Sequence, residues 1–133
     1  MVTDVVTIGI DEPFSRVWDV LKPRKIRHLP VVDTQGKLKG IITLRDLYRI
    51  VSPRKKVEEE GLFYRKQDLE KFILSSVMTE NVLTLSANQT LGHAVDTMVE
   101  KKFGCIPIVD GEGMLIGILT QIDVLRAIAK YFI

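Results

Sequence analysis

Cysteine is almost absent from this sequence, with Cys105 the only one among 133 residues. A single thiol cannot close an internal disulfide and excludes every Cys-rich zinc arrangement. Histidine is nearly as scarce: His28 and His93 stand alone, and a multi-histidine catalytic metal site is not expected. Neither sign of charge dominates, since 19 Lys and Arg oppose 17 Asp and Glu for a net charge of +2. Binding to DNA or to a membrane surface needs a clustered basic face, which this balance does not suggest. No uninterrupted apolar run approaches the roughly 20 residues that span a bilayer. No signal peptide is expected either, because Asp4, Asp11 and Glu12 interrupt the N-terminus. What the chain does have is core material. At 46% hydrophobic and 27% charged it reads as folded rather than disordered. The expectation is a soluble cytoplasmic protein of one compact domain or two very small ones.

A repeat organises the chain. The stretch from Leu29 to Asp46, LPVVDTQGKLKGIITLRD, recurs from Ile106 to Asp123 as IPIVDGEGMLIGILTQID, 77 residues later and without a gap. Over residues 3–50 against 80–127 there are 14 identities in 48 positions, among them Pro30/Pro107, Asp33/Asp110, Gly36/Gly113, Gly40/Gly117, Thr43/Thr120 and Asp46/Asp123.

Each copy predicts the same elements. A short β-branched strand comes first, at Val5 to Ile8 and again at Val82 to Leu85. A helix follows, with Asp11 placed as its N-cap and Pro13 in its first turn, where the missing N–H costs nothing. Phe14, Val17, Trp18 and Leu21 then fall on one helical face, as do Leu91, Ala94, Val95 and Met98 in the second copy. Two strands around a tight glycine turn come next: Leu29–Val32 with Leu38–Ile42, and Ile106–Val109 with Leu115–Leu119. Gly36 and Gly113 supply residues able to take positive φ. The second strand of each pair runs into a helix beginning near Thr43 or Thr120. The predicted fold class is α/β (α+β), two β-α-β-β-α repeats packed with pseudo-two-fold symmetry. One copy of about 50 residues is small for independent stability, and two sharing a core are not.

The expected organisation is a first repeat at 1–52, a charged connector with a lead-in helix at 53–76, and a second repeat at 77–133. Arg54, Lys55 and Lys56 in the connector are followed by Glu58, Glu59 and Glu60, a nearly self-neutralising run that reads as a solvated surface. Gly61 to Tyr64 predicts a turn. Leu69, Phe72, Ile73, Ser76 and Val77 predict one face of a helix over 66–77.

The residues Gly40 to Arg49, GIITLRDLYR, and Gly117 to Arg126, GILTQIDVLR, together with the preceding Pro-Val-Val-Asp and Pro-Ile-Val-Asp, resemble the signature of the cystathionine-β-synthase (CBS) domain family. Two copies in one chain resemble its tandem pair, the Bateman module. Val77-Met78-Thr79 is similar to the family's lead-in to a repeat. The first copy begins almost at its first strand without such a lead-in, which leaves a piece of a larger regulated protein as one reading. The resemblance implies a regulatory module and not an enzyme. It also implies an adenosine-containing ligand (AMP, ADP, ATP or S-adenosylmethionine) in the cleft between repeats, a homodimer, and a regulated enzyme or transporter as partner. No required cofactor, metal, nucleic acid or membrane span is expected.

On that resemblance Thr43 and Asp46, and Thr120 and Asp123, are the ribose-binding candidates. A carboxylate can accept hydrogen bonds from both hydroxyls of a vicinal diol, and a helix N-terminus favours a nearby anion. The same Thr-x-x-Asp spacing at a strand-to-helix junction also reads as a capping box, and the two readings are compatible. Arg27 and His28 are the phosphate-binding candidates, arginine because its planar fork donates two parallel bonds. A solvated basic patch at a helix end is the other reading of that pair. The second copy departs here: Gly104 and Cys105 replace them, so its site is expected to be the poorer one for a multiply charged nucleotide. Base-binding candidates are Val5, Thr7 and Pro30 in the first copy and Val82, Thr84 and Pro107 in the second. Cys105 is expected to be a buried, inert thiol, Trp18 core or dimer interface, and His93 solvent-exposed. No general base, nucleophile and metal constellation can be assembled from these residues, so catalysis is not expected. The rival function is a ligand-free structural dimerisation module whose Thr-x-x-Asp pairs are only caps.

Overall fold

The computed structural model describes residues 4–24, 26–51 and 74–132. These form two compact units. The N-unit comprises Val6–Thr34 and Lys39–Asn81, and the C-unit Met1–Val5, Gln35–Leu38 and Val82–Ile133, over the residues described.

In the N-unit, β1 (Ile8–Gly9) pairs in parallel with β2 (His28–Val32), in the register Ile8↔Val31 and Gly9↔Val32. The sheet order is β1-β2-β3, with β3 at Leu38–Thr43. α1 (Ser15–Arg24) makes the crossover that two parallel strands require, and α2 (Leu44–Val51) follows β3 without a loop. Phe14, Val17 and Leu21 are fully buried as their spacing predicts, with Trp18 packed partly against them. They meet Ile8, Leu29, Val31, Ile42 and Leu47 in one core. Each such side chain contributes about 1.5–3 kcal/mol of apolar burial.

The entry to α1 differs from expectation. The first strand is not Val5–Ile8 but only the two residues Ile8–Gly9, because the chain turns at once: Glu12 N donates to the Gly9 carbonyl at 3.0 Å, and Gly9 N donates to Glu12 Oε2 at 2.9 Å. Asp11 is therefore an exposed turn residue and not the N-cap, and Pro13 precedes the helix. The helix is opened by three-residue bonds, Arg16 N to Pro13 O and Val17 N to Phe14 O, both 2.9 Å.

The connector's charged run, the turn at Gly61–Tyr64, and Leu69, Phe72 and Ile73 lie outside the described residues. Its end forms α3 (Leu74–Val77). There Leu74, 1% exposed, is buried and Val77 packs partly against the same core, while Ser76 faces solvent. Beyond α3 the chain lies against β3: Thr79 N donates to the Ile41 carbonyl at 2.9 Å and Ile41 N to the Thr79 carbonyl at 3.0 Å. Gly40 permits this approach. A Cβ there would stand 2.7 Å from Met78 Sδ and 2.8 Å from the Thr79 carbonyl oxygen.

In the C-unit, β4 (Cys105–Val109) and β5 (Leu115–Thr120) are antiparallel, with Cys105 opposite Thr120 and an irregularity between Ile108 and Val109. The strand expected at Val82–Leu85 is reduced to one bridge. Leu85 N donates to the Pro107 carbonyl at 3.1 Å and Val109 N to the Leu85 carbonyl at 2.9 Å. The next amide, Ser86 N, turns away to the Gln89 side chain at 2.8 Å, which ends the pairing. α4 (Leu91–Lys101) is capped by Thr90, whose Oγ1 accepts from His93 N at 3.0 Å, and ends on Lys102 in the left-handed region. Ala94, Val95 and Met98 face the core, but Leu91, the first residue of the helix, is 46% exposed at the open end of the same face. α5 (Gln121–Phe132) follows β5 directly. Gly36 and Gly113 have φ of 91° and 83°, as both turns demand. The turns pair within this unit: Leu38 N bonds the Gly113 carbonyl at 3.1 Å and Leu115 N the Gly36 carbonyl at 3.2 Å. The whole is the expected mixed fold, with the second repeat's first strand nearly lost. Among the described residues no helix is long and apolar enough to cross a membrane.

Candidate functional site

The two Thr-x-x-Asp segments adopt one geometry. In the N-unit, Thr43 N donates to Asp46 Oδ2 at 2.9 Å and Asp46 N donates back to Thr43 Oγ1 at 3.1 Å. In the C-unit, Thr120 N donates to Asp123 Oδ2 at 2.9 Å and Asp123 N to Thr120 Oγ1 at 3.3 Å, while Thr120 Oγ1 lies 3.0 Å from the same Oδ2. Each is a reciprocal capping box at the junction of an edge-to-helix turn. Each box therefore holds a carboxylate at a helix N-terminus, where the dipole and free N–H groups favour negative charge. The two boxes differ in depth. Asp46 is only 6% exposed, whereas Asp123 is half-buried and its Oδ1 has no hydrogen-bond partner among the described residues.

A second feature ties the boxes to the preceding strand pair. The carbonyl of Arg27 accepts from Leu44 N at 2.9 Å, and that of Gly104 accepts from Gln121 N at 3.0 Å. The residue before β2 or β4 is thus fastened to the first amide of the helix. This places Arg27 and His28 beside Thr43–Asp46, and Gly104 and Cys105 beside Thr120–Asp123. Arg27 is exposed and His28 half-buried. Burial, and secondarily the Arg27 guanidinium, hold the His28 imidazole below its usual pKa, so it is neutral at pH 7. Cys105 is the reverse case: burial first, then the Asp123 carboxylate, push its thiol up to about 12. The thiol is protonated and unreactive, as its apolar strand suggests. His93 is exposed on α4, away from either box in sequence.

Of the base-binding candidates, Pro30 and Pro107 are buried within β2 and β4. Thr7 precedes β1, whose parallel register Ile8↔Val31 brings it towards Pro30. Val5 belongs to the C-unit and Thr7 and Pro30 to the N-unit. Thr84 stands next to Leu85, whose N–H bonds the Pro107 carbonyl, and Val82 lies two residues earlier on irregular backbone. The sequence reading missed the carbonyl tie from Arg27 and Gly104 to the helix, which no side-chain pattern announces. It also missed the Thr79–Ile41 pairing, for which the repeated Gly40 was an available signal.

The family model for the CBS domain matches residues 1–53 and 74–130. The chain belongs to the CBS domain family. Among solved structures, this CBS pair is similar to CBSX2 in complex with AMP, at 26% identity and a TM-score of 0.80, covering 98% of this chain and 92% of that one. It is similar also to the CBS domain pair of MJ0100 in complex with 5′-methylthioadenosine and S-adenosyl-L-methionine, at 26% identity and a TM-score of 0.75, covering 94% and 92%. Among curated relatives, inosine-5′-monophosphate dehydrogenase of Methanocaldococcus jannaschii is 32% identical over 126 residues, which is 95% of this chain. The chain spans 22% of that enzyme's length.

Proposed function

We propose that the chain is a regulatory module that senses an adenosine-containing ligand (AMP, ADP, ATP or S-adenosylmethionine) and performs no catalysis itself. The observation that carries this reading is the duplicated box, with Thr N to Asp Oδ2 at 2.9 Å in both repeats. Thr43 and Asp46, and Thr120 and Asp123, receive the ribose hydroxyls. Arg27 and His28 receive phosphate in the first repeat, arginine through its paired N–H groups and the neutral imidazole through one N–H. Val5 and Thr7 with Pro30, and Val82 and Thr84 with Pro107, meet the base. The AMP held by CBSX2 and the adenosyl ligands held by MJ0100 support the class of ligand. In this reading residues 1–52 and 77–133 are the two repeats and 53–76 the connector. The module acts as a cytoplasmic homodimer on an enzyme or transporter. Binding acts only so far as the ligand favours one conformation of the module over another.

A ligand-free dimerisation module is the second reading, favoured by capping bonds that are complete without any ligand. Calorimetric titration separates the two. AMP should bind the intact chain, bind at least tenfold more weakly to Arg27→Ala, and lose its main site in Asp46→Asn. The Asn variant keeps an acceptor for Thr43 N, so unchanged melting would separate binding from capping. Absence of heat with AMP, ATP and S-adenosylmethionine alike would leave the scaffold reading standing.

A further inference from the structure

Resting on the adenosyl reading, we infer that the second repeat takes an adenosine ligand whose 5′ substituent carries no negative charge, a free nucleoside or its thioether. Gly104 and Cys105 set that preference, against the phosphorylated ligand of the first repeat.

The two sites share one frame. Both boxes are closed by a 2.9 Å bond from Thr N to Asp Oδ2, and both are tied to the preceding residue's carbonyl at 2.9–3.0 Å. The helix N-terminus is common to both. So are the basic residues just upstream, since Arg24 and Lys25 recur at the repeat offset as Lys101 and Lys102. At the level of sequence these features do not distinguish the two repeats. The difference lies in the tied residue and the one after it.

In the first repeat these carry a guanidinium and an imidazole. In the second, Gly104 has no side chain, and the Cys105 thiol is a weak neutral donor. Its protonation is secured by burial and by the Asp123 carboxylate beside it. A phosphate placed there would face the Asp123 charge with neither the Arg27 guanidinium nor the neutral His28 donor that the first repeat offers. An uncharged hydroxymethyl or thioether group would meet the sulfur with no charge to desolvate. Asp123 Oδ1, without a partner among the described residues, remains available to a ribose hydroxyl. Nothing steric enforces the glycine. The atoms nearest a Cβ at position 104 belong to the Gln121 side chain, at ordinary contact distances of 3.6–3.9 Å, so a Cβ is accommodated there.

The test uses the full chain carrying Asp46→Asn, titrated calorimetrically with adenosine and with AMP, with melting curves as the control for folding. The second repeat should bind adenosine at least tenfold more tightly than AMP, and Asp123→Asn should abolish that binding. Adding Gly104→Arg with Cys105→His should reverse the order in favour of AMP. If AMP binds at least as tightly as adenosine and Asp123→Asn removes both, the charge preference is overturned while the adenosyl reading survives. If adenosine is preferred but the double substitution leaves the ratio unchanged, the assignment to Gly104 and Cys105 is overturned. If neither ligand binds the intact chain, the adenosyl reading falls and takes this inference with it.

Discussion

Replacing Gly40 by alanine tests the packing of the lead-in segment onto β3. The new methyl would lie 2.7 Å from Met78 Sδ, 2.9 Å from Met78 Cγ and 2.8 Å from the Thr79 carbonyl oxygen. The thioether end can swing aside. The carbonyl cannot, because it accepts from Ile41 N at 3.0 Å while Thr79 N bonds Ile41 O at 2.9 Å. Relieving the overlap therefore moves residues 78–79 and strains both bonds. Overpacking of this kind costs about 1–3 kcal/mol, and weakening two backbone bonds adds about 0.5–1.5 kcal/mol each if they are lost. A combined loss of about 2–6 kcal/mol lowers Tm by roughly 7–20 °C in a chain of this size. Two other glycines serve as controls within the same molecule. At Gly113 a Cβ meets nothing within 4 Å but φ is 83°, so alanine there costs only backbone strain, roughly 1–2 kcal/mol. At Gly111 nothing lies within 4 Å and φ is outside the left-handed region, so alanine should change stability by less than about 0.5 kcal/mol. Thermal melts followed by circular dichroism rank the three. Should Gly40→Ala melt alongside Gly111→Ala, the steric argument fails.

Other expected outcomes follow from single groups. His28 has a lowered folded pKa, so as pH falls below 6.5 the unfolded chain takes up a proton that the folded chain resists, and stability declines; urea midpoints at pH 7.5 and 5.5 should converge more closely in His28→Gln than in the parent. Cys105, pushed up to about 12, should react with a thiol reagent at pH 8 about 100-fold more slowly in the folded chain than in urea, and equal rates would contradict its burial. Leu74→Ala removes a side chain that is 1% exposed and should cost about 2–5 kcal/mol by urea unfolding, although it lies in a four-residue helix at the end of the connector. Thr90→Ala deletes the acceptor of His93 N and should cost about 1 kcal/mol; an unchanged midpoint would mean that water replaces the cap without penalty.

Much of the architecture could be read from local pattern, because the pattern is stated twice. The alternation and glycines of residues 29–43 and 106–120 place β2 to β5 within a residue of their observed ends. Phe14, Val17 and Leu21 are buried because a 3.6-residue period admits no other common face. The capping boxes were visible in spacing alone, since Thr-x-x-Asp at a helix start has few other ways to satisfy its amides. Their carboxylates and the contrast between Arg27-His28 and Gly104-Cys105 were equally plain.

Elements that depend on distant partners were not legible. Val5 to Ile8 and Val82 to Leu85 have strand composition, yet one pairs over two residues and the other at a single bridge, because a ladder's length is set by where the partner strand and the next turn stop it. Asp11 had the chemistry of an N-cap, but the Glu12 side chain folds onto Gly9 first and moves the helix start to Ser15. Leu91 fits the apolar period and is still exposed, since it opens its helix and the buried stripe of α4 is carried by Ala94, Val95 and Met98. The sequence alone determined which residues repeat, which backbone positions require glycine and which side chains cap the helices, all of them interactions between near neighbours. Tertiary structure decided how far each strand pairs, that the Arg27 and Gly104 carbonyls are tied to the helices they precede, and how deeply Asp46 and Asp123 sit, because hydrogen bonding and burial between distant segments exist only once those segments have met.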